Sequence, residues 1–208
     1  EVEKIYAPRI ETLFVNIKKL GSSFLTKPTG LAGKMPVHQD WTIVDEERFC
    51  SVTIWVPLQD VDENNGAIRV FPGSHKFSKT FRSPNVISEF DTIQESILKQ
   101  TTLLPMRAGE AFIFNHALLH ASEINRSPSP RIALTYGLIP KEAELCLYLK
   151  NESGKLEKYS MPDNMFSTYT NIGNPPLNGK KIDEFNHSHL QPMMSRLSLE
   201  LDETASLG

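Results

Sequence analysis

No long apolar run occurs in this chain. Proline and glycine, 14 and 11 residues, recur between short stretches of branched and aromatic side chains, so the sequence is cut into pieces of strand length. Residues 51–58 alternate with period two: Val52, Ile54, Val56 and Leu58 face one way, Thr53 and Trp55 the other. That pattern predicts a half-buried strand. Residues 62–66, ending Asn65-Gly66, supply turn chemistry, because Asn and Gly tolerate positive φ. Residues 67–71 then read as a returning strand, ended by Pro72-Gly73-Ser74. Between 84 and 101, Val86, Phe90, Ile93, Ile97 and Leu98 follow helical spacing and predict one short amphipathic helix. Leu103-Leu104-Pro105 leads to a turn at Ala108-Gly109-Glu110. Strands follow over 111–116 and 131–139, separated by the Ser127-Pro128-Ser129-Pro130 loop. Residues 144–150 and 155–161 flank Asn151-Glu152-Ser153-Gly154 as a hairpin. Beyond about residue 162 the pattern fades, and 195–208 reads as a terminal helix or a disordered tail. Many short strands, few helices and no internal repeat imply an all-β sandwich or barrel, with a jelly roll as the natural candidate.

The charge balance narrows the partners. The chain carries a net charge of −3, and its pI is near 6.1. A nucleic-acid or anionic-membrane surface needs a basic excess, so neither is expected. No stretch approaches the ~20 apolar residues that span a bilayer. The sequence starts at Glu1 rather than Met, so the lack of a signal-peptide pattern carries little weight: the natural N-terminus can lie upstream. Cys50 and Cys146 form no C-x-x-C unit and read as small buried apolar residues. A reducing, cytoplasmic compartment fits them.

The residues that bear chemistry begin with His38-Gln39-Asp40. On an extended backbone, residues two apart point to the same side, so one imidazole nitrogen and one carboxylate oxygen can converge on an ion. Alone, His-x-Asp recurs by chance. His120, 82 residues later, can supply a third ligand from a distant strand. Two histidines and one carboxylate form a facial triad that leaves three octahedral positions open, a set suited to iron(II) oxygen chemistry. His116 competes for the same role, since an unbroken strand would put it on the same side as His120. Arg131 follows His120 by eleven residues, at the start of the next strand. Its guanidinium fork matches a carboxylate bidentately, so a dicarboxylate could chelate the metal at one end and rest on Arg131 at the other.

Five segments together carry a resemblance. They are His38-Gln39-Asp40-Trp41; Trp55-Val56-Pro57-Leu58-Gln59-Asp60; the run from Asn65-Gly66-Ala67 through Pro72-Gly73-Ser74-His75-Lys76; Leu119-His120-Ala121-Ser122; and Arg131-Ile132-Ala133. In order and spacing they resemble the phytanoyl-CoA dioxygenase family, over roughly residues 20–140. The resemblance implies a double-stranded β-helix (jelly roll, cupin-like) with a few flanking helices, forming one catalytic domain over residues 1–208. It implies iron(II) as the metal and 2-oxoglutarate and O2 as co-substrates. It assigns His38, Asp40 and His120 to the metal and Arg131 to the distal carboxylate of 2-oxoglutarate. Gln39, Trp55 and Ser122 match positions that line the co-substrate pocket. The family's spacing of Arg and Ser after the ligand favours His120 over His116.

Residues 65–76 read as architecture, and His75 as a structural hydrogen-bonding residue. His187 and His189 mimic a metal pair in loop-like sequence. Lys76, Lys79 and Arg82 form a small basic cluster, read as a solvated face. Related halogenases replace the acidic ligand by a small residue; Asp40 is present, so hydroxylation or a related oxidation is expected. The resemblance implies a small-molecule or CoA- or carrier-linked substrate, with specificity expected in residues 76–101 and after 140, where no motif is matched. One rival is a cupin-like metalloenzyme of another class, and the other is a sensor domain without 2-oxoglutarate-dependent oxidation.

Overall fold

The structure, a computed structural model, describes residues 2–77 and 80–186. Its centre is two four-stranded antiparallel sheets built from eight strands: β1 (Ile17–Lys27), β2 (Met35–His38), β3 (Val52–Pro57), β4 (Ile68–Val70), β5 (Thr102–Leu104), β6 (Phe112–Asn115), β7 (His120–Ser122) and β8 (Arg131–Pro140). One sheet has the order β1-β8-β3-β6 and the other β2-β7-β4-β5. Apart from β4 and β5, which pair with each other, successive strands cross between the sheets, which is the jelly-roll winding expected from the sequence. A third sheet, β11-β10-β9, adds the hairpin of β9 (Cys146–Lys150) and β10 (Leu156–Ser160), with β11 (Lys180–Phe185) along its edge.

Strand β3 departs from its expected environment. Ile54 and Val56 do share a face, but the opposite residue Trp55 is buried as well. Ile54 and Val56 pack with Leu134, Tyr136, Leu138 and Ile10. Ile10 belongs to helix α1 (Val2–Leu13), which the sequence pattern did not reveal. Thus α1 covers the outer face of one sheet, and β3 is buried on both sides rather than half-buried. The other sheet is covered by residues 89–99: Phe90 and Ile97 pack on Val37, Phe71, Leu119 and Ala121. Here the anticipated helix is shorter. A 3-10 turn at Glu89–Ile93 leads into α2 (Gln94–Lys99), and residues 84–88 are irregular. Between the sheets, Trp55, Ile68, Val70, Phe114 and Ala133 close one end of the interior.

The strand after Gly66 returns to the other sheet and does not pair with β3. Strand β4 lies beside β7, with Val70 opposite His120 and Ile68 opposite Ser122. The turn that follows grips the chain just before His120: Phe71 N–H donates to the Leu119 carbonyl at 2.9 Å, and Leu119 N–H donates to Ser74 Oγ at 2.8 Å. This agrees with an architectural reading of residues 65–76. The 151–154 turn closes β9 and β10 through paired backbone bonds and Gly154 at φ 84°. After residue 162, where no pattern was legible, a short helix α3 (Met165–Thr168) and β11 occur. Strand β1 also went unread. Cys146 is buried as expected, whereas Cys50 is exposed, contrary to expectation. No helix among the described residues is long and apolar enough to cross a membrane. Lys79, His187, His189 and residues 195–208 lie outside the described residues.

Gly66 shows how tightly this end of the barrel is built. Its φ is +76°, and a Cβ there would meet Lys27 Cδ at 2.7 Å and the Glu123 carbonyl oxygen at 2.8 Å. Backbone strain and collision act together. Gly66→Ala is expected to lower the unfolding free energy by about 1–3 kcal/mol, measured by chemical denaturation; a variant as stable as the parent would contradict the packing described.

Candidate metal centre and cavity

Antiparallel pairing brings the distant histidines together. In the β2–β7 ladder, His38 is the register partner of His120. Opposed residues on one face of such a pair have Cβ atoms about 5 Å apart, and here the ring centroids lie 4.2 Å apart. Asp40 follows β2 by two residues and joins them, its Oδ1 lying 3.8 Å from His120 Nε2. One donor atom from each of His38, Asp40 and His120 falls within 4.8 Å of the other two. Phe114 packs beside the His120 ring at 4.9 Å.

Hydrogen bonds orient each of the three groups. His38 Nδ1 bonds the Pro36 carbonyl at 2.9 Å, and His120 Nδ1 bonds the Leu118 carbonyl at 3.0 Å. Each carbonyl lies two residues upstream on the same chain segment. A carbonyl can only accept, so Nδ1 carries the proton and Nε2 keeps its lone pair for a metal. Burial, then the neighbouring His120, push His38 down to about 4, opposed by the Pro36 carbonyl and Asp40. His38 is therefore neutral at physiological pH. Burial alone would raise the Asp40 carboxyl, but the His120, His116 and His38 imidazoles and a hydrogen bond from Thr53 outweigh it, so the group sits below its ordinary value. Thr53 Oγ1 donates to Asp40 Oδ2 at 2.8 Å from strand β3, which ties the carboxylate to the opposite sheet. Two unprotonated imidazole nitrogens and a carboxylate oxygen are a fitting donor set for a divalent iron ion.

His116 takes a different place. It sits in the turn between β6 and β7, so no continuous strand aligns it with His120. Its Nδ1 bonds the Trp41 carbonyl at 3.1 Å, and its buried Nε2 has no partner. The converging group contains His120 and not His116. His75 is also outside it, and does not border the cavity.

The three groups open into a cavity of about 880 Å³ between the sheets, also bordered by Gln39, Trp55, Ser122 and Arg131. Arg131 is 4% exposed. It lies over the Trp55 ring at 5.1 Å and donates from Nη2 to the Gly66 carbonyl at 3.2 Å. Its Nε is buried without a partner, and no carboxylate among the described residues pairs with it. Burial lowers the guanidinium only to about 10, so it stays charged near neutrality. Ser122 is buried on β7. Gln39 borders the cavity with its amide engaged: it donates to the Ala117 carbonyl and accepts from Thr80 Oγ1.

Sequence reading missed two cations. Lys27 is buried opposite Arg131 in the β1–β8 ladder. Its ammonium donates to the Gly33 and Glu123 carbonyls. Burial, then the charge of Arg131, lower it to about 8. Without β1 in view, no sequence signal could have paired Lys27 with Arg131. Arg82, taken for part of a solvated face, is instead 8% exposed and binds Glu46 with two nitrogens at 2.6 and 2.7 Å. Nothing in the sequence placed a carboxylate beside it.

The family comparison decides the relationship. The model of the family described as phytanoyl-CoA dioxygenase (PhyH) matches residues 5–133, more than half of the chain. The chain belongs to the phytanoyl-CoA dioxygenase family. Among curated phytanoyl-CoA dioxygenases, that of Arabidopsis thaliana is 28% identical over 149 residues, covering 70% of this chain and 51% of its own. Phytanoyl-CoA dioxygenase 1 of Oryza sativa subsp. japonica is 26% identical over 145 residues, covering 66% of this chain and 52% of its own. This family member thus spans about half the length of the curated relatives it matches. Of solved structures, the non-haem α-ketoglutarate-dependent carbocyclase SnoK from nogalamycin biosynthesis superposes with a TM-score of 0.58 at 20% identity, covering 85% of this chain and 66% of its own. That likeness establishes a shared fold.

The depressed His38 has a measurable consequence. Between about 4 and the ordinary value of 6.5, the unfolded chain takes up a proton at His38 that the folded protein refuses. The unfolded state then binds more protons, so stability falls as pH drops through this window. Metal-free protein is expected to melt at progressively lower temperature from pH 6.5 to 4, and His38→Gln to flatten that slope; an unchanged slope would count against a buried neutral imidazole.

Proposed function

We propose that this chain is a catalytic domain of a non-haem iron(II)- and 2-oxoglutarate-dependent dioxygenase that hydroxylates an unactivated C–H bond. The observation that carries the reading is one cavity holding both a His-Asp-His donor cluster and a buried guanidinium with no carboxylate partner among the described residues. His38, Asp40 and His120 would hold iron(II) on one face and leave the cavity face open. When bound, the metal with 2-oxoglutarate and O2 supplies the oxidising power for oxygen insertion, the diacid leaving as succinate and carbon dioxide.

The chain's own residues set the geometry. Arg131 receives the distal carboxylate of the diacid, a charge-assisted contact in a site shielded from water. Lys27 raises the demand for an anion there, since like charges directly opposite in a sheet repel. Its own hydrogens are taken up by the Gly33, Glu123 and Ser122 carbonyls, which leaves Arg131 to face the diacid. Trp55 supports the guanidinium plane and Ser122 borders the same space. Pro36 and Leu118 keep both imidazoles facing the ion, and Thr53 keeps one carboxylate oxygen occupied so that the other points to it. The apolar lining from Phe114, Ile68 and Trp55 excludes water from the reacting region. A small molecule or a CoA- or carrier-linked substrate is in keeping with phytanoyl-CoA relatives, and a chain with only two cysteines, far apart in sequence, suits a cytoplasmic setting.

The reading predicts a thermal shift with 2-oxoglutarate that requires iron(II), together with succinate release under O2. His120→Ala should abolish both, while His116→Ala keeps metal-dependent binding. Arg131→Met should keep iron and weaken 2-oxoglutarate by about 10- to 100-fold, the cost of losing a charged hydrogen bond. If His116→Ala loses binding and His120→Ala retains it, the ligand set is wrong. No iron-dependent shift with 2-oxoglutarate in the parent protein would remove the proposal itself.

A further inference from the structure

Asp40 occupies an exposed weakness in the site. His38 and His120 stand on a ladder, but residues 39–51 have no strand or helix to hold them. Backbone groups outside repeating structure still need partners, and around Asp40 side chains and neighbouring backbone supply them together. Arg82 Nε donates to the Asp40 carbonyl at 2.9 Å. Thr42 N–H donates to the Arg82 carbonyl at 3.0 Å, and Arg82 N–H returns a bond to Thr42 Oγ1 at 3.1 Å. His116 serves the next carbonyl, that of Trp41.

The guanidinium that does this is fixed on every side. Glu46 holds it bidentately, and Nη1 also donates to the Thr80 carbonyl at 2.7 Å. The side chains of Arg82 and Glu46 are 9% and 13% exposed, so the pair is desolvated. Such a pair is weak evidence for stability, since apolar residues of similar volume often replace one without loss. What it does specify is direction: the planar fork leaves Nε–H aimed at one carbonyl.

We infer that Arg82, locked by Glu46, is a positioning residue for Asp40, setting where its carboxylate meets the metal. The inference rests on the reading of His38, Asp40 and His120 as a metal site. It also gives residues 80–82 a task beyond any part in specificity. The segment between β4 and β5 is latched to the metal-ligand loop at Arg82 and again where Thr80 Oγ1 meets Gln39 Oε1 at 3.2 Å.

Arg82→Lys tests this by keeping the charge opposite Glu46 and removing the Nε donor. A second variant, Arg82→Met with Glu46→Met, removes both charges so that neither is stranded. Cobalt(II) affinity by calorimetry, the visible spectrum of the cobalt(II) protein and the melting temperature without metal are measured for each. Positioning contacts around a metal typically change affinity by about 10- to 100-fold. The expected result is a loss of that size with an altered cobalt spectrum in Arg82→Lys. The double variant should show the same loss while melting near the parent. If Arg82→Lys does not fold, the double variant decides. Parent-like cobalt affinity and spectrum in whichever variant folds would overturn the inference. His120→Ala is the control: if it binds cobalt as the parent does, the metal site lies elsewhere, and that failure belongs to the proposed function.

Discussion

The pairing of β2 with β7 is the interaction on which the rest of the site depends. Neither strand is long, four and three residues. Yet their register fixes the distance between two imidazoles that are far apart in the chain. Everything around them reinforces that register. Strand β4 lies on the other side of β7, the Phe71 and Ser74 contacts grip Leu119, and Phe90 and Ile97 cover the outer face. The apolar packing beneath the sheet is thus also what holds the donor atoms in range of one another.

The cavity is electrically uneven. Two imidazoles and one carboxylate gather at the β2–β7 ladder, while two buried cations meet where β1 and β8 pair. The two groups face the same space from different sheets. A ligand that carries negative charge at both ends, one able to chelate and one able to accept a fork of donors, complements this arrangement better than a neutral one. The protein has built that complementarity from buried side chains, where electrostatic interactions are screened least.

Much of this was legible from residues alone, and the boundary of legibility has physical causes. Period-two alternation identified β3, and the Asn65-Gly66 turn and the 151–154 hairpin followed from glycine's access to positive φ. His-x-Asp with a distant histidine pointed to three side chains that the fold does bring together. Strand β1 escaped because Lys, Ser and Thr break its alternation; as an edge strand with much exposed surface, it need not be apolar. Helix α1 escaped because its own pattern is weak, and so β3 looked half-buried when its second face was in fact covered. Arg82 escaped for a different reason: an arginine grouped with nearby lysines reads as solvated unless the carboxylate that buries it is known. Burial of charge is a property of pairs, and sequence displays the members singly.

The β1–β8 ladder contains one irregularity, between Lys19 and Ser22, and runs unbroken from Ser22 to its end at Lys27 and Arg131. Because side chains alternate strictly along a strand, slack on one side of that bulge is not felt on the other. A residue gained or lost before Ser22 can be absorbed there, leaving the cations facing inward. The same change inside the unbroken stretch would rotate Lys27 outward and strand Arg131 against a mismatched neighbour. Tolerance of length variation along this one strand is therefore graded, generous at its entrance and absent at its far end.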